Sequence, residues 1–343
     1  MNDSAVVTPK NNLPLRTNAE LVIETSIVVF IDTLAILGNL MVVVAFTRNR
    51  YLRTVTNTFI VTLSLADIAM AVFPMPLSAS VLAKGDWLHG ETLCILQGFS
   101  VHFLAFVSLQ IMALTALNRY FKVMRPSQCR KVFTHRKTLC MVLGSCIFSG
   151  LALGIALYPQ ASQSFIFHPG KVICVRLHYS FFASQIYTII SSLLFVVLPA
   201  MVITGCYTQV FRKIRSHNKR QRYLQRENII RNRIAVNGCS GSPERLSTAN
   251  ELGSIPQGLS QAEIIITRTL FGTVLGFFLC WVPCFVIDIV DVLASDWLNR
   301  RVYLTYTYLA YTSSAINPII YGILNPSFRK EFTSILRCES PPR

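Results

Sequence analysis

The 343 residues are 52% hydrophobic and only 14% charged, against roughly 25% charged in a soluble domain, and the mean hydropathy is +0.48. These values exclude an ordinary soluble protein and make a lipid bilayer the expected solvent. The net charge of +16 would suit nucleic acid, but the basic residues sit between long apolar runs, which points to membrane topology and an anionic inner leaflet instead.

Residues 1–20 are polar and lack the apolar core of a cleavable signal, so they are expected to form an extracellular tail, with the first helix as its own membrane signal. Asn2-Asp3-Ser4 is a glycosylation sequon at Asn2. Seven segments then pass the length test of about 20 mostly apolar residues. They lie near 21–47, 57–83, 93–121, 138–159, 180–211, 264–294 and 302–324. The connections 48–56, 122–137 and 212–261, with the tail 329–343, hold 23 of the 32 Lys and Arg. By the positive-inside bias these are cytoplasmic, leaving the N-terminus outside and the C-terminus inside.

The organisation expected is therefore a bundle over 21–324 and a terminal stretch over 325–343. About 216–261 is a basic cytoplasmic loop whose Gly/Ser/Pro-rich end should be disordered, while its basic first half extends the fifth helix. In the terminal stretch, "NPSFRKEFTSILRC" has the pattern of an amphipathic helix on the inner leaflet. Phe328 and Phe332 would face lipid, and Cys338 at its end is a palmitoylation candidate. Of ten cysteines, only Cys94 and Cys174 fall on the oxidising face, which marks them as the disulfide. The others show no paired CxxC spacing, so no zinc site is expected.

Polar residues inside apolar helices carry the chemistry. Asp67 in "LSLADIAMAV" marks an ion or proton site, compatible with a structural hydrogen bond in the bundle. Ser108, Ser313 and Asn317 could complete an oxygen cage for a small cation such as sodium. Pro199, Pro283 and Pro318 kink the last three helices and make them natural hinges.

"LSLAD", "NRY", "FFLCWVP" and "NPIIY", in that order on helices two, three, six and seven, resemble the rhodopsin-like (class A) G-protein-coupled receptors over roughly residues 21–338. The resemblance implies an all-α seven-transmembrane bundle with a short eighth helix in the plasma membrane. It also implies an extracellular small-molecule or peptide ligand, a heterotrimeric G protein, and arrestin and a receptor kinase as further partners. It implies no enzyme activity and no cofactor beyond an allosteric sodium ion.

Carried over residue by residue, Arg119 and Tyr120 match the family's Asp-Arg-Tyr signature, with Asn118 replacing the acid. Glu263 stands where some members place a second restraint on that arginine. Tyr207 and Tyr321 match tyrosines that stabilise the open form, and Phe277 with Trp281 match the aromatic pair that couples ligand to helix six. The family's mid-helix-four tryptophan is absent from 138–159, which marks a divergent member.

The ligand is constrained mostly by exclusion. Helix seven has no lysine for retinal, with Tyr311 at the matching position, and helix three has Val101 where amine receptors carry an aspartate. The Asn-Arg-Tyr variant is similar to melatonin receptors, but Phe195 and Pro318 depart from their pattern. The pocket walls expected are Gln97, Val101, His102, Ala105, Tyr187, Ser191, Trp281, Phe285, Asp288, Thr307 and Tyr311. Asp288 and Asp32 face inward, to pair either with a cationic ligand or with an outer-loop arginine such as Arg176 or Arg300. His102 fits a satisfied core histidine as well as a ligand contact. A seven-helix transporter or channel is the alternative, without the internal repeats that transport predicts. A membrane hydrolase would need HExxH or GxSxG, and neither occurs.

Overall fold

Thr17 opens the first helix with a reciprocal cap. Its hydroxyl accepts the Glu20 N–H, and the Glu20 carboxylate accepts the Thr17 N–H. The computed structural model describes residue 13 and residues 15–155, 165–176, 181–237, 260–293 and 298–339; Asn2 and 238–259 lie outside them. In chain order the helices are α1 (Asn18–Arg48), α2 (Val55–Val72), α3 (Pro74–Lys84), α4 (Gly90–Met124), α5 (Pro126–Val132) and α6 (His135–Ile155). After a hairpin come α7 (Phe181–Ser192), α8 (Leu198–Asn237), α9 (Gln261–Leu293), α10 (Arg300–Leu324) and α11 (Pro326–Leu336). The hairpin pairs β1 (Phe165–His168) antiparallel with β2 (Ile173–Arg176), with Phe167 opposite Cys174.

Among the described residues six helical stretches are long and apolar enough to cross a membrane, and they leave rows of large apolar side chains exposed, such as Leu139, Leu143, Ile147 and Leu151 on α6. For a bilayer solvent that exposure is the favourable arrangement. The seventh crossing helix, α10, falls short in apolarity because its buried face carries Thr307, Ser313, Ser314 and Asn317. It packs centrally, against α1, α2 and α9.

Three departures from the sequence-based expectation have physical causes. The segment expected at 57–83 breaks at Phe73 into α2 and α3, because Pro74 cannot donate to the preceding turn. The fifth crossing contains one wide π turn, Leu193–Val197, just before Pro199, whose missing N–H leaves a ladder carbonyl free. The basic first half of the 216–261 loop continues this crossing as helix as far as Asn237. The third departure is in α11, where Phe328 and Phe332 turn away from lipid. They are buried on the bundle, with Phe328 against Tyr321 (ring centroids 5.8 Å apart) and Phe332 packed near Gly322.

Two glycines mark close approaches between elements. A side chain on Gly38 would meet Pro318 at 2.9 Å, where α1 lies against α10. One on Gly98 would meet Phe165 at 2.3 Å and the carbonyl of Cys174 at 2.7 Å, so the hairpin lies directly on α4. The Cys94–Cys174 disulfide, with Cα atoms 5.4 Å apart, closes the same joint.

Candidate functional site

At the hairpin end, α4, α7, the π turn Leu193–Val197, α9 and Tyr306 of α10 enclose a cavity of about 390 Å³, roofed by Lys171, Val175 and Arg176 from the hairpin. Its walls are aromatic and aliphatic: Phe106, Leu109, Phe195, Val196, Phe277, Phe278 and Val282. Phe106 stacks on Phe195 at 4.2 Å between centroids, and the π turn is what presents Phe195 to that ring. Of the pocket residues expected from sequence, Val101, His102, Ala105, Tyr187, Ser191, Trp281, Phe285 and Asp288 line this cavity. His102 spends its Nδ1–H on the Gly98 carbonyl, 2.7 Å away.

Gln97, Thr307 and Tyr311 lie elsewhere, and this corrects the expectation. Gln97 is fully buried and donates to the Pro74 carbonyl and to Ser78, while its own oxygen accepts the Cys174 N–H. Tyr311 shares a 2.7 Å hydrogen bond with Ser78. Both serve the break at Pro74, which leaves polar groups that need partners in a water-poor interior. Thr307 donates to the Lys171 carbonyl and pins the hairpin tip to α10.

The hairpin tip also supplies a charge that the sequence reading missed. Lys171 Nζ lies 3.0 Å from Asp288 and 2.8 Å from Asp291, and Asp291 accepts the Tyr303 hydroxyl as well. Asp288 therefore pairs with a loop cation, but with Lys171 and not with Arg176 or Arg300. Arg300 instead forms a fork on Glu24 (2.7 and 2.5 Å), which Arg16 joins at 3.1 Å. Asp32 has a buried oxygen without a hydrogen-bond partner among the described residues.

Below the cavity, Trp281 stacks on Phe277 at 5.7 Å, and its indole N–H donates to Ser313 at 3.0 Å. Pro283 lies two residues further along α9. Asp67, buried, accepts from Asn317 Nδ2 at 2.8 Å and is hydrogen-bonded by Ser314, whereas Ser313 is committed to Trp281. Ser108 is buried on α4. Asn317 Oδ1 and Ser64 Oγ are buried without hydrogen-bond partners among the described residues. A carboxylate beside orphaned oxygens is the donor set a hard cation takes, so Asp67, Asn317 and Ser64, with Ser314 beside the carboxylate, fit sodium.

At the α11 end, Arg119 is completely buried. Its Nη1 donates to Glu263 at 2.9 Å, and its Nη2 donates to Thr56 and to Asn118 at 3.2 Å. Thr56 in turn donates to Asn118 at 3.0 Å, so the amide replacing the usual acid is a hub for both donors. Lys122 adds a second cation to Glu263 at 2.8 Å. Tyr120 is half-buried beside Phe121. Tyr207 and Tyr321 are buried nearby, and the Tyr207 hydroxyl has no partner among the described residues.

A sequence profile of the 7 transmembrane receptor (rhodopsin family) matches residues 38–321, which is most of the chain and includes every element of this axis. The chain belongs to the rhodopsin family of seven-transmembrane receptors. Relatives include the octopamine receptor beta-1R of Drosophila melanogaster, 27% identical over 93% of this chain and 62% of its own length. Melatonin receptor type 1B-B of Danio rerio is 26% identical over 93% of this chain and 82% of its own. The human 5-hydroxytryptamine receptor 4 is 27% identical over 89% and 77%. This receptor is thus a multi-pass plasma-membrane protein of the G-protein-coupled class, and the transporter or channel alternative finds no support among these relatives.

Proposed function

We propose that a small extracellular molecule occupies the cavity beneath the hairpin and, by repacking Trp281 and Phe277, releases the Arg119–Glu263 contact for a G protein. The carrying observation is that one continuous column joins the two: the cavity rests on Trp281 and Phe277, and the same helix, α9, ends in Glu263. Relatives named for octopamine, melatonin and 5-hydroxytryptamine support a small molecule, and the mostly apolar concave site is of that kind. In this reading the hairpin end is extracellular, and the α11 end, with arrestin and kinase access, is cytoplasmic. Asn2 is the glycosylation site and Cys338, exposed after α11, carries palmitate. Sodium at Asp67, Asn317 and Ser314 supplies a positive charge that favours the closed bundle.

The test measures second-messenger output at matched surface expression, with octopamine, 5-hydroxytryptamine, melatonin and small organic acids as probes. A probe that activates the wild type should lose at least tenfold in potency when Ala105→Trp fills the cavity. Activation indifferent to Ala105→Trp and Phe285→Ala would place the ligand elsewhere.

A further inference from the structure

Four charges meet at the cavity mouth, and they are not evenly matched. Lys171, almost wholly buried, is shared by Asp288 and Asp291, so both carboxylates already face a cation. Arg176 has no carboxylate partner among the described residues. Its guanidinium carbon stands 4.2 Å over the ring of Tyr187, and its Nη1 is buried with no hydrogen-bond acceptor among the described residues. Both residues line the cavity. A buried donor left unmade is costly, and one matched to a charged acceptor is among the stronger contacts available. The unmet demand at this site is therefore for an anion.

We propose that the ligand is a small organic acid, its carboxylate held by Arg176 and its apolar body lying along Phe106, Phe195 and Trp281. This rests on the cavity being the ligand site. The planar guanidinium fork matches a carboxylate in two parallel hydrogen bonds, and stacking on Tyr187 fixes the plane of that fork before the ligand arrives. The aromatic walls exclude water and strengthen the ion pair. An amine finds the opposite situation. Val101 offers it nothing on α4, and Asp288, the carboxylate it could reach, already holds the Lys171 ammonium at 3.0 Å.

The experiment compares three acids, 3-phenylpropionate, indole-3-acetate and octanoate, with their methyl esters and with amines of the same skeletons. The readouts are thermal stabilisation of the purified full-length receptor and second-messenger output. At least one acid should stabilise and activate, with its ester and amine at least tenfold weaker. Arg176→Gln should cost that acid at least tenfold in potency, Arg176→Lys less, and Arg176→Glu should shift the preference to the matching amine. Surface expression identifies any variant that fails to fold, and Arg176→Lys then carries the comparison. No response to any acid overturns the proposal, as does an acid whose potency survives Arg176→Gln. An amine that activates, is lost in Asp288→Asn and in Ala105→Trp, and ignores Arg176 overturns the acid while leaving the cavity as the ligand site. An acid that acts equally in Ala105→Trp sinks both.

Discussion

Arg119 on α4 and Glu263 on α9 are 2.9 Å apart, and the arginine has no other carboxylate partner among the described residues. A fully buried guanidinium keeps its charge only if most of its donors are met, here Nη1 by Glu263 and Nη2 by Thr56 and Asn118, while Nε has no partner among the described residues. Moving the inner end of α9 outward must break the one contact of the three that lies on α9. Couplings of this kind amount to about 1–3 kcal/mol, enough to change a minor population several-fold.

Glu263→Ala should therefore raise ligand-independent output several-fold at matched surface expression. Asn118→Asp should lower it, since a carboxylate at the hub holds the same guanidinium more tightly than an amide. Arg119→Ala should abolish signalling while ligand binding persists. Basal output that stays flat in both Glu263→Ala and Asn118→Asp would show that α9 is held closed by something else.

Asp67→Asn should remove the sodium sensitivity of ligand binding, because the amide cannot offer the charge that a hard cation needs. Ser314→Ala should reduce that sensitivity, and Ser313→Ala should leave the sodium response intact while disturbing Trp281, whose indole it anchors. Ligand affinity measured with sodium and with a large organic cation separates the cases. A wild-type sodium response in Asp67→Asn would remove the ion from this site.

The joint between hairpin and α4 is tight enough to test with one methyl group. Gly98→Ala drives a carbon against Phe165 and the Cys174 carbonyl, and overpacking of this kind costs about 1–3 kcal/mol. A lowered melting temperature is expected, with Cys94→Ser and Cys174→Ser equally impaired in surface expression. Variants that reach the surface and signal as wild type would mean that the hairpin needs neither the bond nor the close fit.

The helical frame was legible because a bilayer imposes one simple demand, a continuous apolar segment about 20 residues long, and six of the crossings meet it plainly. The Arg119–Glu263 contact was legible from the motif around each residue. Gln97, Thr307 and Tyr311 were misplaced because helical register gives the face of a residue but not what packs there. The break at Pro74 brings α3 onto two of them, and Pro74 and Pro76 were the available signal. Lys171 carries no periodic signal at all, since it sits in a hairpin turn. Asp291 was within reach: it lies one turn beyond Asp288, on the same face of α9.

Lys171 gives the last prediction. Burial alone would push its ammonium below the ordinary lysine value, but Asp288 and Asp291 outweigh burial and hold it above. His168, in the same cluster with Tyr303, is pushed down, first by burial and then by the charge of Lys171, against the pull of Asp291. The signs of the two follow from linkage. A raised lysine value contributes stability that is complete below the unfolded value and is lost as pH rises through the folded one. A lowered histidine value contributes stability that is present above the unfolded value and is lost as pH falls towards the folded one. The cluster should thus be most stabilising between the ordinary histidine and lysine values, about 6.5 and about 10.4. Lys171→Met should lower the melting temperature across that window, because Asp288 and Asp291 then face each other without a cation, and it should abolish the cluster's alkaline decline. Adding Asp291→Asn to Lys171→Met should recover part of the loss by removing one of the two stranded charges. Melting curves of the purified receptor from acid to alkaline pH make the comparison. A Lys171→Met receptor with the melting temperature and alkaline limb of the wild type would show that this ion cluster does not hold the hairpin over the cavity.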